Sequence, residues 1–290
     1  VLSSLQLEAL VAVCDAGSFE QAAHALHITP SALSQRIAGL ERATGRVLVR
    51  RSRPVEPTTH GHTVLGLARR TVLLHSQTLA QLNPAASEPP LTRVSLAINA
   101  DSLSTWFQPV IAAIAQEGSW LLDIHIEDQD HTAQLLADGQ VMTAVSTSAK
   151  AAPGCAVERL GTMRYIPAAA PQLLEREQDL TRLPMLRFDA RDDLQHAYLR
   201  QINADMTPPI HYLPSNHEFL IAALLGLGWG VLPEGQIAEH LHAGQLIRLG
   251  PDAHVDVQLF WQRWRTESPV LDALSSLALH AATTSLIPPE

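Results

Sequence analysis

From His60 to Leu82 the chain reads "HGHTVLGLARRTVLLHSQTLAQL", a helical period unbroken for 23 residues. Val64, Leu67, Ala68, Thr71, Leu74, Thr78 and Leu82 follow one another mostly at steps of three and four and form one seam. At roughly 1.5 Å per residue this helix extends about 35 Å, farther than one small core reaches. A seam of that length is best covered by a second helix, so the chain is expected to dimerise through it. "NPAASEPP", residues 83–90, follows as a linker rich in proline and small residues. The 290 residues therefore divide into a small unit over 1–59, a helix and hinge over 60–90, and a body over 91–290.

After the linker the rhythm becomes strand, helix, strand. "RVSLAIN" reads as a strand, "DSLSTWFQPVIAAIAQEG" as an amphipathic helix, "LLDIHIED" as a strand and "DHTAQLLADG" as a helix. "VMTAVST", "MLRFD", "DDLQHAYLRQI", "PIHYL", "NHEFLIAALLGLG", "WGVLP" and "LFWQRW" continue the alternation to a helix near 270–285. Such alternation implies an α/β body with open, mostly parallel sheets covered by helices on both faces. Two such halves are expected, one over about 91–163 plus 268–290 and the other over about 164–267.

The small unit is predicted to be helical. "SLQLEALVAVCDAG" places Leu7, Leu10, Val11 and Cys14 on one stripe, and Gly17 ends it. Ser18 can cap a short helix, "FEQAAHALH". Thr29 then caps a third helix whose first residue is Pro30, a position that needs no N–H. Leu33, Ile37 and Leu40 make its inward stripe, and Gly45 stops it. "RVLVRRSRPVEPTT" reads as two short extended stretches around a basic turn, a wing.

A turn between two helices, with a polar face on the second, is a helix-turn-helix, which lays the second helix in the major groove of DNA. Gln35 can pair bidentately with adenine, Arg36 can reach guanine or phosphate, and Ser31 and Ser34 suit either base edge. Thr29 suits a phosphate at the helix start. Arg50, Arg51 and Arg53 on the wing suit the backbone or minor groove. The chain's formal charge of -9 has the wrong sign for a polyanion. That charge is unevenly spread, because residues 1–70 hold eight arginines against five acids, a local excess of positive charge.

Composition narrows the remaining classes. Apolar residues make up 46% and charged residues 17%, a globular balance. The sequence has no apolar run of about 18 residues, so no membrane span is expected. "VLSSLQLEALVAVCDAGSFE" lacks the basic start of a secretory signal. Cys14 and Cys155 lie far apart, which fits free thiols in a reducing cytoplasm. The histidine pairs of "HGH" and "HLH" are two residues apart and do not share a helix face, so no metal site is expected. "GLGWG" follows a helix and precedes a strand, the reverse of a dinucleotide loop. Serines, histidines and acids are scattered without the order of a catalytic triad, so an enzyme is not expected.

"SFEQAAHALHITPSALSQRIAGLERATGRVLVRR" resembles the DNA-binding domain of LysR-type transcriptional regulators. The likeness covers about residues 3–62, and the whole chain fits that family's plan. The plan implies an N-terminal winged helix-turn-helix, a long linker helix, and an effector domain of two α/β halves similar to periplasmic binding proteins. "LAINADSLSTWFQPV", "IEDQDHT", "LGTMRY" and "FWQRWRTES" resemble the LysG/ArgP branch more closely. That likeness implies control of a divergently placed exporter gene in response to L-lysine or L-arginine, without a cofactor. It also implies homodimers or tetramers on double-stranded DNA, and leaves contact with RNA polymerase open.

Chemistry points to an effector site in the body, because ligands of such folds bind beyond the carboxyl ends of strands. "NADSLST" offers Asn99, Asp101, Ser102, Ser104 and Thr105, whose hydroxyls and amides suit a carboxylate. "EDQDHT" adds Glu127, Asp128 and Asp130 for a ligand's amino groups, and Ser146 and Thr147 end the next strand. Asp189, Ser215, His217 and Glu218 are candidates from the second half. Two alternatives stay open: a regulator of the same family sensing another metabolite, and a solute-binding protein that does not bind DNA.

Overall fold

The computed structural model describes residues 2–82, 92–118, 120–127, 132–204 and 208–288. The elements in chain order begin with α1 (Ser4–Ala16), α2 (Phe19–Ala25), α3 (Pro30–Thr44), β1 (Val49–Arg50), β2 (Glu56–Pro57) and α4 (Thr59–Leu82). Then come β3 (Thr92–Ile98), α5 (Ala100–Ser104), α6 (Gln108–Glu117), β4 (Trp120–Ile126), α7 (Thr132–Ala137), β5 (Thr143–Ser146), β6 (Cys155–Ala169) and α8 (Pro171–Leu174). The chain closes with β7 (Met185–Arg187), α9 (Leu194–Gln201), β8 (Ile210–Tyr212), α10 (Asn216–Leu224), β9 (Gly230–Pro233), α11 (Glu234–His242), β10 (Ile247–Arg248), β11 (Val255–Trp264) and α12 (Pro269–Ser285). The linker over 83–90 lies outside the described residues.

Two compact units emerge: Val1–Ala97 with Gln116–Val157 and Gln262–Ser275, and Ile98–Ala115 with Glu158–Trp261 and Ser276–Glu290. In the first, local chemistry sets the helix ends. The Gly17 N–H bonds the Val13 carbonyl at 3.0 Å with φ at 62°, a left-handed turn that glycine adopts without cost. Ser18 Oγ accepts from the Gln21 N–H, and Thr29 Oγ1 accepts from the Ala32 N–H. Gly45 closes α3 in the same left-handed way. Leu33, Ile37 and Leu40 are fully buried, each worth roughly 2 kcal/mol of apolar burial. In α1 the buried stripe is Leu7, Ala9, Leu10 and Val13, with Val11 and Cys14 at its margin. The expected stripe was therefore turned by about one residue.

Helix α4 is apolar on two faces. Leu65, Leu73 and Ala68 are buried against their own unit, Ala68 against the expectation that placed it on the seam, whereas the seam residues Leu67, Leu74 and Leu82 are exposed. Gly61 lets the helix start close to the wing, because a Cβ there would meet the Leu48 carbonyl oxygen at 2.0 Å. In this unit β3 lies between β5 and β4 and runs parallel to β5.

The second unit departs from the expected mostly parallel sheets. The long strand β6 is antiparallel to both β9 and β10, whereas the small β7–β8 pair is parallel. β9 and β10 reach β6 only after intervening helices and yet run against it, so the sheet is mixed. Both cysteines are free thiols; burial pushes that of Cys14 up to about 12, so it is an inert packing group.

Candidate functional site

The polar face of α3 stands free of the core that holds the helix. Thr29, Ser31 and Gln35 are exposed, and Ser34 and Arg36 are half-buried. The Thr29 and Ser31 hydroxyls sit 3.0 Å apart at the helix start. Arg50, Arg51 and Arg53 are exposed on the wing, where β1 and β2 pair through Val49 with Pro57 and Arg50 with Glu56. Glu41 near the end of α3 accepts from the Leu48 N–H at 2.8 Å, which fixes the wing to the helix. The Arg51 guanidinium lies 5.2 Å from the centre of the Phe19 ring, so α2 steadies the wing as well. Between the α2 start, the α3 start and the wing runs an open groove lined by Ser18, Gln21, Ser31, Ser34, Arg51 and Arg53. Hydroxyls, amides and guanidinium groups around one groove suit an anionic backbone on its walls and base edges on the helix.

A second constellation is wholly inside the second unit. Asp101, in the first turn of α5, accepts from the Asn216 side-chain amide at 2.8 Å, and the same amide reaches Ser104 Oγ at 3.1 Å. The Tyr165 hydroxyl is a further partner of Asp101. Burial pushes the Asp101 carboxyl up to about 6, the bonds from Tyr165 and Asn216 oppose this, and the charge of Asp192 adds to the rise. Tyr165 is itself pushed well above its ordinary range by burial and by the neighbouring Asp101 charge. Next to these groups two buried polar atoms, Asn99 Oδ1 and Ser102 Oγ, have no hydrogen-bond partner among the described residues. A half-buried carboxylate that is costly to ionise, beside unpaired polar atoms, is a site that suits a cationic, hydrogen-bonding ligand.

The other candidates are placed as follows. The Thr105 hydroxyl donates to the Asp101 backbone carbonyl at 2.6 Å. Asp189 accepts from the Arg191 and Asp192 backbone N–H groups and from the Arg191 side chain; burial raises it, and these bonds bring it below its usual value. Ser215 caps the start of α10 and its hydroxyl bonds Glu218, while His217 and Glu218 are exposed. Glu127, Ser146 and Thr147 belong to the first unit, where buried Ser146 Oγ accepts from the Ser148 N–H at 2.9 Å. Asp128 and Asp130 lie outside the described residues. Tyr165, Asp192 and Asn216 escaped sequence reasoning, because they meet Asp101 across 64, 91 and 115 residues of chain and carry no local motif.

Among the described residues no group of three or more histidine, cysteine or acidic side chains could hold a metal, and no helix is long and apolar enough to cross a membrane.

Residues 5–62 match the model of bacterial regulatory helix-turn-helix proteins of the lysR family, and residues 87–283 match that of the LysR substrate binding domain. The lysine export transcriptional regulatory protein LysG of Corynebacterium efficiens is 44% identical, over 98% of this chain and 99% of that protein. The HTH-type transcriptional regulator LysG of Mycobacterium tuberculosis is 42% identical, over 97% of this chain and 94% of that protein. Among solved structures, ArgP from Mycobacterium tuberculosis superposes with a TM-score of 0.86 at 40% identity, covering 98% of both chains. Full-length LysG from Corynebacterium glutamicum with bound effector Arg superposes with a TM-score of 0.78 at 40% identity, covering 99% of this chain and 100% of that one.

Proposed function

We propose, from the premise that this chain belongs to the LysR family of bacterial transcriptional regulators, that it senses L-arginine or L-lysine and controls an amino-acid exporter gene. It is a transcriptional regulator and not an enzyme. The observation that carries the effector reading is half-buried Asp101, held by Asn216 and Tyr165 beside the unpaired Asn99 Oδ1 and Ser102 Oγ. A ligand ammonium or guanidinium supplies the missing positive charge, and Asn99 Oδ1 and Ser102 Oγ take up its hydrogen bonds. The arginine bound to the Corynebacterium glutamicum relative supports the same ligand class. A calorimetric titration of the full chain tests it. Arginine and lysine bind, and citrulline, which has arginine's shape without its charge, binds at least about tenfold more weakly. Equal affinity for citrulline, or tight binding of an uncharged metabolite alone, refutes the cationic reading.

On this reading residues 1–59 bind DNA, 60–90 dimerise, and 91–290 sense the effector. The exposed Leu67, Leu74 and Leu82 on α4 support pairing with a second copy's helix. Effector binding acts by its different affinity for the arrangements that hold DNA in different ways. Gln35 reads a base and Arg50, Arg51 and Arg53 hold phosphates. Gln35→Ala is therefore expected to relax base preference at one position by about 1–3 kcal/mol and to leave nonspecific affinity nearly unchanged. Competition binding with single-base operator variants measures this, and equal losses on specific and random DNA would show that Gln35 reads no base.

A further inference from the structure

A second cavity, of about 290 Å³, lies inside the first unit where α1, α4, β3 and β4 meet. It shares no residue with the site at Asp101. Val11 from α1, Val72 and Leu73 from α4, and Met142 before β5 form its apolar wall. Asp15, Arg93 and Asp123 bring charge of both signs to it. Ser95 also lines it, is only 4% exposed, and its hydroxyl has no hydrogen-bond partner among the described residues. Arg69 at the rim is already engaged, donating to the Gly139 and Gln140 carbonyls at 2.8 and 2.7 Å and holding Asp15. Arg93 and Asp123 are only loosely paired, at 3.7 Å, and both are more than a third exposed.

The chemistry selects a ligand. An acid and a base within one small cavity complement a zwitterion, and an apolar wall complements an uncharged side chain. The volume is at the low end for ligand pockets, large enough for an amino acid and too small for a nucleotide. We propose that this cavity binds a small amino acid with an apolar side chain. Its ammonium lies on Asp123, its carboxylate lies on Arg93 and the Ser95 hydroxyl, and its side chain lies against Val72 and Met142. Because α1 belongs to the DNA-binding head and β3 and β4 to the body, such a ligand favours the arrangement in which these elements meet. The site is thus a second input to the regulator, separate from the cationic one.

The test is calorimetric titration of the full chain with L-leucine and with L-methionine, in the presence of saturating L-arginine. Saturable binding that arginine does not displace is expected. Val72→Trp fills the cavity and abolishes it, and Asp123→Asn, a surface change that leaves packing intact, weakens it by about tenfold or more. Arginine binding stays unchanged in both variants, which separates this site from the one at Asp101. No binding of either amino acid up to about 10 mM, displacement by arginine, or full binding by both variants overturns the proposal. So does a Val72→Trp protein that only changes its oligomeric state, because the cavity would then be filled by a second copy.

Discussion

Asp101→Asn is expected to cut arginine affinity by about a hundredfold or more while making the ligand-free protein more stable at neutral pH. On the proposed reading the loss follows from removing the carboxylate that takes the ligand's positive charge, a change that ordinarily costs about 2–5 kcal/mol. The gain follows from proton binding. The Asp101 carboxyl titrates at about 6 in the folded chain, because burial penalises its charge, against 3.8 when unperturbed. Between those values the folded state holds a proton that the unfolded state has released. Stability from this group is therefore full below about pH 4, falls as pH rises through about 6, and stays low above it, a total on the order of 2–3 kcal/mol. Asn carries no charge and lacks that slope. Thermal unfolding at pH 5 and pH 7.5 measures both parts: the wild-type chain loses stability between the two, and the variant loses less. Arginine binding to the wild type weakens below about pH 6, where Asp101 takes up its proton. A variant that binds arginine within about threefold of wild type would remove Asp101 from the site.

Gly139→Ala is the substitution expected to damage the fold most, and Gly66→Ala its counterpart expected to be tolerated. Gly139 has φ at 68°, and a Cβ there would lie 2.0 Å from the Gly66 Cα in the middle of α4. The left-handed backbone costs an alanine about 1–2 kcal/mol, and forcing helix and loop apart costs about 1–3 kcal/mol more. A Cβ on Gly66 lies 3.3 Å from the Gly139 Cα, tight but within reach of a small shift. The roughly 1 kcal/mol that alanine gains over glycine inside a helix offsets it. Gly139→Ala should thus lower the unfolding midpoint by roughly 10 °C, and Gly66→Ala should move it by only about 2 °C either way. The same joint carries the Arg69 bonds to the Gly139 and Gln140 carbonyls, so damage here also loosens the tie between linker helix and body. Equal tolerance of both substitutions would mean that the two backbones are not this close.

How much was legible depended on how local each feature is. The start of α3 is written in three adjacent residues: Thr29 supplies the cap, Pro30 needs no N–H, and Leu33 begins the buried stripe. The wing and α4 were readable for the same reason. Strand β6 was not, since its burial follows no strict alternation and Gly161 interrupts it with a positive φ. Missing that strand hid the antiparallel pairing of the second unit. Asp101 was legible as a candidate, but its partners Tyr165 and Asn216 arrive from distant elements, and no local pattern marks them. Asp189 shows the converse: as a strand-end acid it resembles a ligand holder, and its carboxylate is occupied by its own turn.

The most direct test of effector-gated DNA binding is an arginine titration of the full chain, by calorimetry, without DNA and with saturating DNA from upstream of its own gene. If effector and DNA are linked, arginine affinity changes by about fivefold or more when DNA is bound, and DNA affinity changes by the same factor when arginine is bound. Identical arginine affinity with and without DNA, at full occupancy of both, would contradict the coupling on which the proposed regulation rests.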